Sequence, residues 1–166
     1  VLGARVIFFV LSQFGHSDLA HKIMVDPVAP SYGHWVARGE TSLCEDILPF
    51  EQCRSSLNHH FWGSISAWFI QCIAGIHFNP NADNLNRVDI TPHFVTGLSQ
   101  AEAYHIAPGG KITVAWQRTG EKTVELTLTV PQGMRGNLIL ESNWMDEKTR
   151  QSVAPVESRT YHLKMI

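Results

Sequence analysis

The stretch Ser56–Phe69, SLNHHFWGSISAWF, decides how the first half of this 166-residue chain is read. Apolar residues at Phe61, Ile65, Trp68, Phe69, Cys72, Ile73 and Ile76 recur at helical spacing and share one face. Ser55 or Ser56 stands where an N-cap belongs, and Gly75 stands where a helix should stop. The pattern therefore predicts one long helix over about 56–75. Its first turn would carry Asn58, His59 and His60, close in sequence to the carboxylates of GETSLCED, Gly39–Asp46. Hydrogen-bonding side chains at a helix start, beside a loop carboxylate, suit a polar ligand.

Upstream, Val1–Phe14 reads as a helix closed by Gly15, and Ser17 as the cap of a short helix through about Met24, stopped by Pro27. Residues 26–55 are loop-rich, with Pro27, Pro30, Gly33, Gly39 and Pro49, yet they carry Tyr32, Trp35 and Phe50. A long loop with that aromatic content reads as ordered and functional. Downstream, composition changes at the turn-rich Asn79–Asn84, the best domain boundary. Period-two alternation then takes over at Val88 and Ile90, at Ile112, Val114 and Trp116, at Val124 to Val130, and at Leu138 and Leu140. Pro108-Gly109-Gly110 and Thr119-Gly120 supply hairpin turns, and Pro131 ends a strand. The expected fold class is α+β in two segments, helices over 1–76 and an antiparallel β-sandwich over 79–166.

Composition closes off several functions. Hydrophobic residues make up 44% of the chain, with five Trp and eight Phe, ample for a packed core. A formal net charge of -2 with scattered charges leaves no electrostatic footprint for nucleic acid. The apolar run before Phe14 is too short to span a membrane, is interrupted by Arg5, and lacks the features of a signal peptide. No nucleic-acid or membrane partner is expected. The chain opens without Met inside an apolar helix, so it is expected to enter mid-domain, as the tail of a longer protein. Cys44, Cys53 and Cys72 show no C-x-x-C spacing, so neither a zinc site nor a disulfide framework is expected, and Cys72 falls on the apolar stripe as a buried thiol. The nine His form no metal pattern, and no Gly-x-Ser-x-Gly elbow or phosphate-cradling loop occurs. No metal or organic cofactor is expected.

The two blocks together resemble the bacterial α-L-rhamnosidase family, which cleaves terminal L-rhamnose from glycosides with inversion of configuration. That family has a loop of the type Gly-Ala-Thr-Thr-x-Trp-Glu, then Ser-x-Asn-His-Tyr/His, an aromatic or small residue, Gly, and later Trp. Gly39, Thr41 and Glu45 match the first block, with Ser42 for the second Thr. Ser56, Asn58, His59, His60, Gly63 and Trp68 match the second. GHSDLAHKIM and PSYGHWV look like the preceding helix and loop, and NPNADNLNRVDITPHF with GGKITVAWQR looks like the family's C-terminal β-domain. The resemblance covers nearly the whole chain. It implies that residues 1–76 are the last helices of an (α/α)6 catalytic barrel, and 79–166 the C-terminal β-sandwich domain.

It also implies roles. Inverting hydrolysis needs a protonated acid at the leaving oxygen and a base that activates water on the opposite face, with carboxyls roughly 6.5–9.5 Å apart. Glu45 corresponds by position to the base, and a glutamate of ordinary acidity is already ionised at neutral pH. His59 corresponds to a sugar-binding histidine, whose ring offers a donor and an acceptor to adjacent hydroxyls. Asn58 either caps the helix or holds the Glu45 loop, and His60 packs beside the site. Asp46 could orient Glu45, although a surface carboxylate is the commoner fate. Glu40 stands where the family prefers Ala, and buried near Glu45 it would weaken the base. Cys44 replaces the family's Trp, removing an aromatic wall. Trp35 and Trp62 are candidate sugar-stacking surfaces in its place, with a buried core position the ordinary alternative for each. The family's general acid lies earlier in the barrel, and no segment here matches it. The chain is thus expected to hold half of a two-carboxylate site, with a rhamnose-containing glycoside or oligosaccharide and the upstream barrel as partners. Cys44 and Glu40 support one alternative, a non-catalytic sugar-binding remnant; another is a structural fragment, its β-sandwich packing against a barrel and shielding the last helices.

Overall fold

The computed structural model describes residues 3–47, 52, 55–78 and 85–166. Pro49, Phe50, Cys53 and the Asn79–Asn84 stretch singled out above lie outside them. The chain divides into two compact units, Val1–Trp68 and Phe69–Ile166.

The first unit is helical. Helix α1 spans Ala4–Gln13 and α2 spans Ser17–Val25, with Gly15 at φ 78 making the left-handed corner that favours glycine. Ser17 does not cap α2, contrary to expectation. Its hydroxyl donates to Ser12 Oγ at 2.9 Å, and Ser12 Oγ accepts the indole N–H of Trp68 at 2.8 Å. Trp68 is fully buried and its N–H needs an acceptor, so tertiary satisfaction takes the serines. Within the predicted loop a third helix forms, α3 over Tyr32–Ala37, started by Ser31, whose Oγ accepts from the His34 N–H at 2.9 Å. Gly33 lets α3 approach the end of α2, since a Cβ there would stand 2.3 Å from the Val25 carbonyl oxygen.

The predicted 56–75 helix is corrected at its start. Residues 60–64 form a 3-10 turn (His60–Ser64), followed by α4 over Ile65–Trp68. His59 before them is extended, at φ -103 and ψ 110. The physical reason is a competing backbone pairing: Glu45 N–H donates to Ser56 O at 2.8 Å, and His59 N–H to Leu43 O at 2.6 Å. Those bonds capture both ends of 56–59, in which Leu57 and Asn58 bend and His59 is extended, and the helical period prevails only beyond them.

The second unit opens with a π-helical turn, Phe69–Ile73, and Gly75 at φ 81 ends the helical run as expected. Among the described residues nine strands follow: β1 Ile76–His77, β2 Asp89–Ile90, β3 Gln100–Ala107, β4 Gly110–Gly120, β5 Thr123–Thr129, β6 Asn137–Ile139, β7 Trp144–Asp146, β8 Val153–Pro155 and β9 Arg159–Met165. They make a five-stranded antiparallel sheet in the order β3-β4-β5-β9-β7 and a four-stranded sheet in the order β1-β2-β6-β8, in which β2 and β6 pair in parallel and the other pairs are antiparallel. The alternation is realised as burial: Ile112, Val114 and Trp116 of β4 and Val124, Leu126 and Leu128 of β5 are all buried. The Thr119-Gly120 turn sits slightly later, because β4 runs on through a register shift to pair Gly120 with Thr123. Trp116 closes the core, its indole donating to Ile73 O at 2.9 Å and its ring lying edge-on to Phe94.

One partly buried titratable group gives this unit a pH dependence. Burial, with the neighbouring His93 second, lowers the pKa of His77 below the ordinary 6.5. The unfolded chain therefore binds a proton that the folded one resists, so stability is full above about 6.5 and is lost as pH falls below it. Thermal unfolding of the full-length protein between pH 7.5 and 5 should show a falling midpoint, and His77→Gln should flatten that fall. An unchanged pH dependence in the variant would refute the assignment.

Candidate active site

The site is assembled by the loop–strand pairing just described. Residues 43 and 45 are held through their main-chain atoms by His59 and Ser56, so the Glu45 loop and the segment before the 3-10 turn run side by side. Trp62 adds a third tie, its indole N–H donating to Glu45 O at 3.1 Å. The Glu45 carboxylate is turned outward and 37% exposed, with Oε2 accepting from the Ser56 N–H at 3.4 Å. His59 Nδ1 lies 3.8 Å from the same oxygen, with the imidazole side chain 19% exposed. Glu45 and His59 therefore form an adjacent, ligand-accessible pair in this chain.

The other candidates fall in different places. Asn58 is exposed, and its N–H donates to Ser56 Oγ at 3.2 Å. It does not cap a helix, because the helical run begins two residues later. Trp35 and Trp62 are 3% and 4% exposed and pack with Cys44, itself 1% exposed, in a cluster bordered by Tyr32, Leu43 and Ile47. The Trp35 and Trp62 rings meet edge-on at 5.7 Å, and Tyr32 stands edge-on to both. Buried this way they offer almost no ring face to a ligand and instead support the loop from behind. Glu40 is turned to a cation: its carboxylate lies 3.8 Å from Arg38 Nε. Asp46 makes an interaction of its own.

Sequence reasoning missed three contributors. Phe61 stands edge-on to His59 at 4.9 Å and close to His60 at 4.4 Å. Arg5 of α1 places its guanidinium 5.4 Å over the Phe61 ring, and no local spacing links those two positions. Cys44 is disulfide-bonded, against the expectation that no disulfide forms. Cys72 is the buried thiol that was expected.

With this geometry in place, the comparisons with known proteins can be set beside it. Residues 1–73 match the bacterial α-L-rhamnosidase six-hairpin glycosidase domain, and residues 75–154 match the bacterial α-L-rhamnosidase C-terminal domain. The chain belongs to the bacterial α-L-rhamnosidase family. An α-L-rhamnosidase of Formosa agariphila is 29% identical over 159 residues, 91% of this chain, and one of an Alteromonas species is 30% identical over 139 residues, 78% of it. The chain spans only 17% and 15% of the length of those relatives. Among solved structures, an α-L-rhamnosidase from Dictyoglumus thermophilum superposes with a TM-score of 0.76 at 25% identity, covering 98% of this chain and 20% of that one. One from Streptomyces avermitilis, complexed with L-rhamnose, gives 0.78 at 23% identity, covering 99% and 18%. The helical part followed by antiparallel sheets is thus an α-L-rhamnosidase fold.

The Cys44 side chain packs into the Trp35–Trp62 cluster and so belongs to the support of the loop. Tyr32 completes that support. Its hydroxyl donates to Trp62 O at 2.7 Å, and burial pushes its pKa up to about 12, so it remains a donor at any working pH. Tyr32→Phe should cost the protein about 1 kcal/mol, the usual net worth of one such hydrogen bond, measured by denaturant unfolding. A loss below a few tenths would mean the bond carries nothing.

Proposed function

We propose that this chain is part of an inverting α-L-rhamnosidase, to which it contributes the general base Glu45 and the sugar-binding His59. The observation that carries this reading is the Glu45–His59 pair itself: a carboxylate and an imidazole 3.8 Å apart, both partly exposed, on a backbone fixed by two main-chain bonds. In the reaction, Glu45 takes a proton from the water that attacks the anomeric carbon, on the face opposite the leaving oxygen. With Nδ1 turned to Glu45, Nε2 is the His59 nitrogen left for a rhamnose hydroxyl. Asn58, exposed one residue earlier, is a second polar contact. Trp35 and Trp62 act as the buttress behind the loop. The acid that protonates the leaving oxygen belongs to an upstream part of the barrel.

The helical unit supports the need for that upstream part. Val6, Ile7, Val10, Phe14, Leu19 and Ile23 leave 36–71% of their surface exposed, an apolar face that further helices of a barrel would cover. Residues 1–76 are accordingly assigned to the last helices of that barrel, and 79–166 to the C-terminal β-domain. Among the described residues no helix is long and apolar enough to cross a membrane.

Two measurements test the proposal. The 166-residue chain alone should hydrolyse an aryl α-L-rhamnoside no faster than buffer, because the acid is missing; turnover abolished by Glu45→Gln would instead mean a self-sufficient site. In the full-length protein, Glu45→Gln should lower kcat by about 10²–10⁴-fold with little change in KM, since the lost interaction is made in the transition state. His59→Ala should raise KM as well as lower kcat. A Glu45→Gln variant with near-normal kcat, or a Glu45→Gly variant that azide does not revive, would remove the base assignment. A parent that binds rhamnose but turns over no rhamnoside would make it a remnant.

A further inference from the structure

We propose that Phe61, held in turn by Arg5 of α1, is a positioning residue for sugar binding: its ring sets the plane of the His59 imidazole, and so the direction of the nitrogen left for a rhamnose hydroxyl. This rests on the reading of His59 as the sugar ligand.

The main chain at His59 is anchored, its N–H donating to Leu43 O at 2.6 Å. That bond fixes where the side chain begins and leaves the ring free to turn, because the last torsion of a histidine is broad and roughly two-fold. Glu45 alone does not stop the turning. Its carboxylate oxygen lies 3.8 Å from Nδ1, beyond hydrogen-bond reach, and a charge attraction at that distance carries little direction. Phe61 supplies the direction. Its ring stands at 87° to the imidazole with centroids 4.9 Å apart, a perpendicular packing that aromatic pairs prefer. Turning the imidazole out of its plane gives up that contact or drives the two rings together. The ring contact therefore fixes the plane, and Glu45, attracting one edge of the imidazole, selects between the two orientations that share it.

Phe61 needs an anchor of its own. His60 packs on it with centroids 4.4 Å apart, but His60 is its neighbour in the chain and moves with the same 3-10 turn. Arg5 comes from a different element. Its guanidinium carbon lies over the Phe61 ring, 5.4 Å from the centroid, and a cation over an aromatic face is attracted by the ring's quadrupole. His59 is thus referenced to the Glu45 loop directly and to α1 through Phe61. The consequence is chemical. A hydrogen bond weakens steeply once it is misaligned, so an imidazole that turns loses the sugar hydroxyl without leaving its place.

The experiment uses the full-length protein, measuring KM for an aryl α-L-rhamnoside and the inhibition constant of free L-rhamnose. Phe61→Leu, which keeps apolar bulk without a planar ring, should raise both about 3- to 10-fold, the worth of one perpendicular ring contact, with circular dichroism unchanged. Phe61→Tyr, which restores the ring, should recover most of the affinity. Arg5→Met should raise both constants about 2- to 5-fold, and Arg5→Lys less, because it keeps the cation. In a His59→Ala background neither Phe61→Leu nor Arg5→Met should raise them further, since both act through the imidazole. Parental constants in Phe61→Leu would overturn the proposal, as would an equal loss in Phe61→Tyr. So would an undiminished loss in the His59→Ala background, which would mean that Phe61 meets the sugar itself. Should Phe61→Leu fail to fold, Arg5→Met, a change to an exposed side chain, carries the same test with and without His59. If His59→Ala itself keeps the parental constants, the sugar-ligand reading fails instead, and the two failures are told apart.

Discussion

The pairing of residues 43–45 with residues 56–59 is the constraint on which the polar end of the helical unit depends. Two main-chain hydrogen bonds, Glu45 to Ser56 and His59 to Leu43, tie a loop to a would-be helical turn. With the two segments tied, Cys44 is buried against the tryptophans, while Glu45 and His59 stand together, partly exposed. Had His59 sat in the first turn of a helix, its ring direction would have followed the helix axis, unrelated to the loop. The main-chain tie therefore does what a helix N-terminus could not: it references both groups to each other.

The fold was legible to different depths in its two halves. In the β unit the signal is period two, and the alternating sets mark strands whose apolar face is buried, as at Ile112, Val114 and Trp116. Local pattern and tertiary environment agree there. In the helical unit they compete. The stripe from Phe61 to Ile76 is real, yet its start was misread, because the partner that captures His59 lies sixteen residues upstream and leaves no mark on local spacing. The same holds for Ser17, which reads as a cap but serves, through Ser12, the buried indole of Trp68. Helix α3 was hidden because Pro and Gly punctuate its surroundings, while Gly33 in fact permits its close approach to α2.

The candidate site was legible only through ordered motifs. A glutamate and a histidine fourteen residues apart carry no chemistry by spacing alone, and resemblance supplied their roles before geometry brought them within 3.8 Å. What resemblance could not supply was the support. Trp35 and Trp62 were weighed as sugar-facing surfaces, and their burial with Tyr32 and Cys44 places them behind the loop. Arg5 over Phe61 joins α1 to the segment bearing His59, a contact between elements that no window along the sequence contains.

Cys44 and Glu40, which depart from the family's pattern as the resemblance gives it, were the grounds for suspecting decay, and the structure packs or pairs each of them. Glu40 is turned to Arg38, so its charge is compensated locally. Cys44 is buried against Trp35 and Trp62, where a decaying position would leave a cavity or an unpaired group.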